Sequence, residues 1–580
     1  LSLSMLCLVA FAQGRQITGT VVDGTGETVI GANVLVVGTT NGVITDMDGN
    51  FTLQDVPTNA KLQISFIGYV PQTISVGNQN HVKVTLKEDS QALDEVVVIG
   101  YGTVKKRDLT GSVASVNNEV LTANPVSNVS QALQGKLPGV TVISQDGRPG
   151  ADVSIRVRGG GSITQSNEPL FVVDGFPVSS ISDIPADQIE SIDVLKDASS
   201  TAIYGARGAN GVILVTTKGA KSEKVTVTYN AYIQTKTVAK TLDALNAQDY
   251  VKYTWGYASA LGNSYKEAVE KYFGLGANYG NKFADYANVN AHDYTDDLLH
   301  SALSHTHNLS VMGGGEKTKI VFNVNYLNDE GIKINSGYHR FNTSLKLKQE
   351  LLKNLSLDLD LRYMEDETTG KESSTNGKGS ILSGAYRWRA IDNPLGDASD
   401  FSGFLMGADN VDTAYGSPVA HTNDVQNIAN RQNLRASAAI SWDIIKGLTA
   451  RSEIGLGRNW SETKYYEDGL TQNYKYAKLT KGNGYNIRSV TTLNYQVQGL
   501  SEIHSLSFLL GNEILINKSN SSEIIGAGYP DGFDFDQTFG MIDQTDKSLA
   551  KDAFKNTIGT PKKTVSFFGR ANYSLLGRYL

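Results

Sequence analysis

The sequence has 580 residues, a formal net charge of −7 and 19% charged residues, so two or more domains are expected and a nucleic-acid partner, which needs a basic face, is not. Glycine (58) and tyrosine (27) are frequent and proline (12) is scarce, which favours many strands and turns. Beyond the first dozen residues no apolar run reaches the length of about 18 that a transmembrane helix needs, although barrel strands would not produce such a run.

Residues 1–12 have the pattern of a signal peptide. Leu6 to Phe11 is apolar, and Ala10-Phe11-Ala12 forms a cleavage signal before Gln13. No basic segment precedes this stretch, so we expect the signal to be incomplete. Cys7 is the single cysteine, and a lipid-anchor role is disfavoured because a leucine stands before it where a small residue is expected. The mature protein would then depend on hydrogen-bonded sheet rather than on disulfides.

Residues 13–90 alternate short strand-like segments with turns rich in Gly, Asn and Asp. About seven strands are indicated, namely ITGTVVD, ANVLVV, VITD, GNFTLQ, KLQISFIGY, QTISV and KVTL. Such spacing predicts a small β-sandwich. The segment resembles the carboxypeptidase regulatory-like domain, a transthyretin-like sandwich that stands at the front of many exported proteins.

One turn of this sandwich, Thr45 to Phe51, is similar to the start of a calcium-binding loop. Its glycine stands fourth rather than sixth, however, and Pro57 occupies the place of the bidentate glutamate. We therefore interpret the segment as a tight hairpin turn.

Residues 91–108 form a linker with one notable segment. Val96 to Ile99 has very high strand propensity, but charged and glycine residues flank it and no nearby hairpin partner is apparent. It could be an ordinary edge strand of the sandwich. Its position at a domain boundary favours the other interpretation, a detachable strand that pairs with the sheet of another protein by β-augmentation.

Residues 109–220 mix helical and extended patterns, which predicts a compact α+β domain. Strands are indicated at Gly139–Ile143, Val153–Arg158, Leu170–Gly175 and Gly211–Thr217. Short helical segments are indicated at Val129–Leu137, Ile184–Ile189 and Ala198–Tyr204.

From residue 221 to residue 580, apolar and polar side chains alternate with period two. Ile320, Phe322, Val324 and Tyr326, for example, share one face of a strand whose other face is polar. The pattern recurs near 341–348, 355–363, 434–442 and 565–573. A soluble sandwich gives two or three such strands. Here roughly ten are visible, as expected for a transmembrane β-barrel with lipid-facing and lumen-facing sides.

The connections between these strands alternate between short and mostly long. Short ones are expected at 313–317, 351–354, 445–447 and 498–501, and long ones at 236–304, 366–430, 461–485 and 514–563. Outer-membrane barrels have short periplasmic turns and long outward loops, so this order orients the strands. Aromatic residues near strand ends would form interfacial girdles; they include Tyr326, Tyr363, Trp442, Trp460 and Tyr573.

Two long strings in the α+β domain are distinctive. They are EPLFVVDG at Glu168–Gly175 and IESIDVLKDASSTAIYGARGANGVI at Ile189–Ile213. Both resemble the plug of the SusC/RagA family of TonB-dependent outer-membrane receptors. The order of sandwich, linker, plug and barrel matches that family along essentially the whole chain. The resemblance implies a barrel of 22 strands when complete, so the chain is expected to be truncated at its C-terminal end.

The resemblance also implies roles for individual residues. The TonB box would consist of Asp94, Glu95, Val96, Val97, Val98, Ile99, Gly100 and Tyr101. The plug motif would comprise Arg156, Arg158, Gly159, Asp174, Gly175, Lys196, Asp197, Tyr204, Gly205, Arg207, Gly208, Asn210 and Gly211.

The function implied is active import of a large nutrient, an oligosaccharide or glycan first and an oligopeptide second, across the outer membrane of a Bacteroidetes-type Gram-negative bacterium. TonB with its inner-membrane energising complex would drive plug gating through the TonB box, and a SusD-like surface lipoprotein would cap the barrel within the outer-membrane lipid. The N-terminal domain would be periplasmic. The alternative is a non-transporting surface receptor or adhesin with a signalling role.

Motifs of other functions are weak, and no catalytic residue, cofactor or metal is expected. No G-x-S-x-G, H-E-x-x-H or Walker pattern occurs. Gly205, Gly208 and Gly211 are spaced by three, which favours tight turns over a dinucleotide site. His305 and His307 share a strand face but lack an evident third metal ligand, so they are interpreted as surface histidines.

Three plug arginines, Arg156, Arg158 and Arg207, could line a substrate path. We prefer the interpretation that they pair with carboxylates of the barrel wall such as Asp358 and Asp360.

Overall fold

The computed structural model is mainly β. It describes residues 15–87 (apart from 25, 38, 40, 58, 67, 68 and 78), 96–99, 102–105, 113–144, 147–220, 224–370, 381–387, 390–391, 394–396, 417–470, 474–501, 503–550 and 553–575. The chain divides near residues 100–110 into two compact units, which are treated separately. Among the described residues, no helix has both the length and the apolar character needed to cross a membrane.

The first unit is a β-sandwich, as predicted. Its strands are β1 (Arg15–Val22), β2 (Asn33–Val36), β3 (Gly42–Ile44), β4 (Asn50–Val56), β5 (Lys61–Ser65), β6 (Gln72–Ser75) and β7 (His81–Thr85). One sheet has the order β4-β1-β7 and the other β3-β2-β5-β6. Alternate apolar side chains, among them Ile17, Val34, Leu53 and Leu62, fill the space between the sheets.

The segment Thr45–Asn50 is a turn but not a hairpin, because β3 and β4 on either side of it belong to different sheets. The Asp46 carboxylate accepts hydrogen bonds from the backbone N–H groups of Asp48 (3.0 Å) and Asn50 (2.8 Å). This carboxylate therefore holds the turn, as aspartates at such positions commonly do.

The linker contains a two-stranded sheet of its own, β8 (Val96–Ile99) with β9 (Gly102–Lys105). The expectation that Val96 to Ile99 lacks a nearby partner was therefore wrong, since the partner strand follows almost directly in the sequence. The flanking residues Asp94, Glu95, Gly100 and Tyr101, like the signal segment 1–12, lie outside the described residues.

The second unit begins with the α+β domain, here called the plug (residues 113–217). Its elements are β10 (Val113–Asn117), α1 (Asn118–Thr122), α2 (Val129–Ala132), β11 (Val140–Ser144), β12 (Val153–Val157), β13 (Leu170–Val173), β14 (Phe176–Val178), β15 (Ile189–Leu195), α3 (Ala198–Thr201) and β16 (Val212–Thr217), with 3₁₀ turns at Ala186–Gln188 and Ala202–Gly208. The main sheet has the order β10-β15-β16-β13-β14, and β11 and β12 form a separate pair. Strand β15 was not predicted, although it stands beside the buried β16.

The rest of the second unit is one 11-stranded antiparallel sheet, here called the wall. Its strands are β17 (Thr226–Lys236), β18 (Ala302–Gly314), β19 (Thr318–Glu330), β20 (Gly337–Leu352), β21 (Leu355–Thr369), β22 (Val425–Ile445), β23 (Leu448–Glu467), β24 (Tyr476–Gln496), β25 (His504–Ala527), β26 (Phe554–Ile558) and β27 (Lys562–Leu575). Neighbours in sequence are neighbours in space, except that β25 pairs with both β26 and β27.

Helices of the wall lie in the connections at one end of the sheet. They are α4 (Ala247–Leu261), α5 (Asn263–Phe273), a 3₁₀ turn at Phe283–Asn288, α6 (Tyr294–Leu298), α7 (Ile381–Arg387), α8 (Pro418–Asp424) and α9 (Phe535–Gly540). At the other end the strands meet in tight turns, such as the one between Gly314 and Thr318.

The burial of the wall is inverted relative to a soluble sheet. Along β19, Ile320 (42%) and Phe322 (38%) are exposed, whereas the intervening Val321 (3%) and, further on, Asn325 (1%) are buried. The inner face buries many polar side chains, among them Asn308, Arg340, Asp366, Arg488 and Glu513. Apolar outside and polar inside is the pattern of a partial transmembrane barrel, as predicted.

The predicted short turns all separate consecutive strands, but two predicted long connections were placed wrongly. Residues 461–485 are mostly strand, because β23 continues to Glu467 and β24 begins at Tyr476. Residues 514–527 likewise extend β25. Beyond the apolar band both faces of these strands are polar, so the period-two signal disappears while the backbone ladder continues.

Candidate functional site

The contact between the plug and the inner face of the wall is the candidate functional site. One contact centres on Asp174, in the turn between β13 and β14. The backbone there is left-handed (φ +47°), and Gly175 follows at φ +88°. This tight turn places the carboxylate at the end of the plug sheet, where it can contact both Thr217 of β16 and the wall.

The Asp174 carboxylate joins the plug to two wall strands. It accepts hydrogen bonds from the backbone N–H (3.0 Å) and hydroxyl (2.8 Å) of Thr217, pairs with the Lys346 ammonium at 2.8 Å, and pairs with the Arg362 guanidinium. Arg362 is also held by Asp360 at 2.8 Å. The two cations come from β20 and β21, so one plug carboxylate fixes neighbouring wall strands.

Burial by itself would raise the pKa of Asp174, but the adjacent Lys346 and Arg362 outweigh it and lower the pKa to about 2. The stabilisation that this carboxylate supplies is therefore present above the pKa of an unfolded aspartate, near 4, and is lost as the pH falls towards 2. Across the neutral range the contact stays charged.

A second contact is a chain of alternating charges across the inner face. The plug guanidinium of Arg207 pairs with Glu513 of β25 at 2.8 Å. Glu513 pairs with Arg488 of β24 at 2.8 Å, and Arg488 with Glu453 of β23 at 3.0 Å. Glu513 and Arg488 are each 4% exposed, so both charges depend on their partners.

Further contacts lie along the other wall strands. Arg435 of β22 pairs with Asp183 of the plug at 2.9 Å. The buried Arg340 of β20 donates to the backbone carbonyls of Ser127 (3.2 Å) and Ser182 (2.7 Å). Asn308 of β18 donates to Asp187, whose pKa burial raises. The plug is thus held from β18 round to β25.

A cavity of about 320 Å³ remains between the β13–β14 hairpin and the wall. Charged groups of both signs line it, among them Asp174, Lys346, Asp360, Arg451 and Glu453, together with the ring of Phe176. The charged groups of this lining can hold water, which would let small shifts of the hairpin occur without breaking a dry core.

The predicted plug-motif residues fall into separate groups. Asp174, Gly175 and Arg207 lie at the wall contacts described above. Arg158 (φ +57°) pairs inside the plug with Asp197 at 2.7 Å and donates to the Lys196 carbonyl, and Lys196 donates to the Pro138 carbonyl. Arg156 is exposed on β12, and Gly159 follows Arg158 at φ +111°.

The remaining motif residues shape the segment after α3. Tyr204 is buried, and Gly205 takes a left-handed φ of +60°. Asn210 donates to the Ser166 carbonyl at 3.1 Å. A side chain at Gly208 or at Gly211 would collide with neighbouring atoms within 2.9 Å. This group therefore serves plug packing, consistent with the expected tight turns.

The preferred pairing of the plug arginines with wall carboxylates is confirmed for Arg207 and wrong for Arg158, and the two carboxylates named as examples, Asp358 and Asp360, are not the partners. Arg158 pairs within the plug, and Arg207 reaches a wall carboxylate, but that carboxylate is Glu513. Asp358 and Asp360 are instead held by wall residues, Arg451 at 2.6 Å and Arg362 at 2.8 Å. The sequence does not show which inner-face charges lie at the same level along the barrel axis, because that level depends on strand register.

His305 and His307 lie on the outer face of β18, with ring centroids 5.2 Å apart. His307 shares a hydrogen bond of 2.7 Å with the Tyr229 hydroxyl. Among the described residues no group of three or more His, Cys, Asp or Glu could hold a metal ion.

The plug hairpin also depends on one wall glycine. A Cβ at Gly455 would lie 2.4 Å from the Phe176 ring. We expect Gly455→Val to weaken the packing of the plug against the wall by about 1–3 kcal/mol, because the valine side chain would occupy the space that the Phe176 ring fills. The urea concentration at which the plug of the full-length protein becomes protease-sensitive measures this. Gly315→Ala, where a Cβ would meet nothing, is the control, and equal behaviour of the two variants would contradict the packing role.

Glu513→Gln is expected to weaken the plug contact by about 2 kcal/mol, because Arg207 and the buried Arg488 both lose a charged acceptor. The readout is the rate of plug cleavage by a protease in the purified full-length protein. Glu462→Gln is the matched control: that carboxylate is 34% exposed and, among the described residues, forms ion pairs with Lys464 and Lys481 alone, so the substitution should change little. Similar cleavage of both variants would argue against the charge chain.

Comparison with known proteins shows which proteins this chain is similar to. Residues 17–98 match the CarboxypepD_reg-like domain, and residues 105–212 match the TonB-dependent Receptor Plug Domain. The TonB-dependent receptor SusC of Bacteroides thetaiotaomicron is 33% identical over 99% of this chain and 56% of its own length. The chain is a homologue of the SusC-like TonB-dependent receptors. The TonB-dependent receptor P3 of Formosa agariphila is similarly related, at 32% over 98% of the chain and 54% of its own length.

Solved structures agree on the fold. The RagAB peptide transporter superposes with a TM-score of 0.64 at 23% identity, over 81% of this chain and 54% of its own. The RagAB peptide importer in its open-open state gives 0.65 at 23% identity, over 83% and 55%. The chain spans about half the length of the curated relatives it matches. These homologues are TonB-dependent receptors, which are not enzymes, in agreement with the sequence-based expectation.

Proposed function

We propose that this SusC-like homologue is the gate-bearing part of a TonB-dependent importer that moves a large nutrient across the outer membrane. The domains would be the sandwich (13–90), the TonB box and linker (91–108), the plug (109–220) and the front part of the barrel (221–580). The sandwich would face the periplasm.

The observation that carries this proposal is a folded plug held by charges against a wall whose outer face is apolar. The apolar face suits lipid. The plug is fixed by ion pairs such as Asp174 with Arg362 and Arg207 with Glu513. In the described part of the chain, the apolar core of the plug contains plug residues and no wall residue. Polar contacts next to a cavity can be exchanged for water when the plug is pulled, which an apolar interface would resist.

The handle for that pull would be the TonB box, Asp94 to Tyr101. In the structure β8 pairs with β9. TonB would replace β9 as the partner of β8 by β-augmentation, so the exchange keeps the backbone hydrogen bonds of the strand satisfied. The energy would come from the inner-membrane complex that works with TonB.

The cargo is proposed by class only. Oligosaccharides or glycans are the first candidate, following the family resemblance. Oligopeptides are the second, since the related RagAB structures are described as a peptide transporter. A SusD-like surface lipoprotein would cap the barrel and help capture the cargo.

The test is uptake by cells that carry the full-length protein. Fluorescently labelled oligosaccharides and oligopeptides are supplied to the wild-type strain and to a strain lacking the gene, with and without a protonophore. Protonophore-sensitive accumulation of one label, present only with the gene, is expected. Cell-surface binding without accumulation would favour the non-transporting receptor instead, and recovery of the protein without detergent would exclude both.

A further inference from the structure

Three cationic side chains form a patch on the outer face of the wall, here called the outer basic patch: Arg458 (β23), Lys518 (β25) and Lys563 (β27). Arg458 is paired in register with Tyr485, and Tyr485 with Lys518. One outward position lower, Ile487 is paired with Ile516, and Ile516 with Lys563. Since adjacent strands lie about 4.8 Å apart and the offset is two residues, the three backbone positions fall within about 16 Å.

The outward direction of the patch follows from the strand alternation. Gly455, Arg488 and Glu513 mark the inner face, because they contact Phe176 or belong to the charge chain that reaches the plug. The alternate positions, including Arg458 and Lys518, therefore face away from the plug. Directly towards the tight-turn end lie exposed apolar side chains on the same face; they include Leu456 (45%), Leu510 (61%), Val565 (60%) and Phe567 (81%).

The charges of the patch are not matched by carboxylates. In the part of the chain that the structure describes, no Asp or Glu lies within ion-pair distance of any of the three cations, and Arg458 instead lies over the Trp460 ring at 5.5 Å. Lys481 and Lys464, further from the apolar band, do have a partner in Glu462, at 2.9 and 3.9 Å.

The patch is confined to one side of the wall. The same row continues from Arg458 through Leu434, Tyr363 and Thr343 on β22, β21 and β20, with no cation. One row further from the tight turns, the outer face of β21 presents the carboxylate Glu365, which accepts hydrogen bonds from Tyr363 and Gln432. A general girdle would surround the barrel, so a local cluster of unmatched cations points to a particular ligand.

We propose that the outer basic patch binds the phosphate group of a lipid in the outer leaflet, whose acyl chains lie against the apolar residues beside it. This rests on the proposed outer-membrane placement of the chain. Cations at the edge of a hydrocarbon layer attract anionic headgroups, and arginine and lysine both form charge-assisted hydrogen bonds to phosphate. Trp460 and Tyr485 fit the same boundary, which amphipathic rings prefer.

The test compares two lipids that differ only in the phosphate. The full-length protein in neutral detergent micelles is titrated with phosphatidic acid or with diacylglycerol of the same acyl chains, and the bound lipid is counted by native mass spectrometry. We expect wild type to bind phosphatidic acid at least tenfold more tightly. Arg458→Gln/Lys518→Gln should lose about tenfold of that preference. Lys464→Gln/Lys481→Gln removes the same charge from paired lysines and should keep it.

Equal binding of the two lipids by wild type, or an unchanged preference in Arg458→Gln/Lys518→Gln, would overturn the proposal. Heat-modifiable mobility in gel electrophoresis is measured on every sample to show that the barrel is folded. A folded, transport-competent protein without lipid preference removes only the patch proposal. A protein that never enters the outer membrane removes the proposed function and this inference with it.

Discussion

Deletion of residues 94–102 from the full-length protein is expected to abolish uptake of its nutrient while leaving capture of that nutrient at the cell surface unchanged. The deletion removes β8 and the start of β9, and with them the strand that TonB would pull. The plug contacts at Asp174 and Glu513 lie elsewhere in the chain, so the gate should stay closed. Accumulated and surface-bound label are measured separately on the same cells.

A pair of point variants refines this experiment. Val97→Pro removes a backbone N–H and fixes φ, so it prevents strand pairing and should reproduce the deletion. Val97→Thr keeps the backbone donor and a β-branched side chain and should transport normally. If cells with the deletion accumulate label and grow on the nutrient as wild type does, energised transport through this segment is ruled out.

The parts of the fold that repeat a simple pattern were predictable from sequence. Alternation such as Ile320, Phe322, Val324 and Tyr326 gave the wall and its outer face, because the side-chain direction in a strand has a period of two. Turn residues at short intervals gave the sandwich. The strings at 168–175 and 189–213 gave the plug by resemblance, and the family model matched at 105–212 agrees with it.

The contacts of the candidate site were not predictable in the same way. Arg207 was singled out, but its partner Glu513 lies 306 positions away and depends on the register of eight intervening wall strands. Charged residues at inward positions of strands that alternate apolar and polar side chains, such as Arg488 and Glu513, were a usable signal that charged groups inside the barrel contact them. Their pairing was not, because a shift of one residue would send each side chain to the other face.

The pairing of β8 with β9 was also missed, and the reason is local. Only two positions, 100 and 101, separate the two strands in the sequence. The segment Gly102–Lys105 has a weaker strand propensity than Val96–Ile99, because it contains one β-branched pair between a glycine and a lysine. Under the proposed function this intramolecular pairing also bears on mechanism, since TonB would have to compete with β9 for β8.

Asp174→Asn is expected to destabilise the contact between the plug and the wall, lowering its interaction free energy by about 3–5 kcal/mol. The substitution leaves Lys346 (25% exposed) and Arg362 (14% exposed) without the carboxylate that joins them to the plug. Removal of one partner from a largely buried charge cluster is costly because the other charges stay desolvated. Cells with the full-length variant should become sensitive to a large hydrophilic antibiotic that the wild-type outer membrane excludes.

A double variant separates the loss of the plug–wall contact from the free-energy cost of leaving the Arg362 charge buried without the Asp174 carboxylate. In Asp174→Asn/Arg362→Gln one buried cation is removed together with its partner, so part of the loss should be recovered, a coupling of about 1–3 kcal/mol in a double-mutant cycle. Asp183→Asn serves as the comparison, since Asp183 meets only Arg435 among the wall cations of the described residues and should open the barrier less. If Asp174→Asn leaves antibiotic exclusion intact, the plug is held mainly by its other contacts, from Asn308 round to Glu513, and the β13–β14 hairpin can shift without opening the barrel.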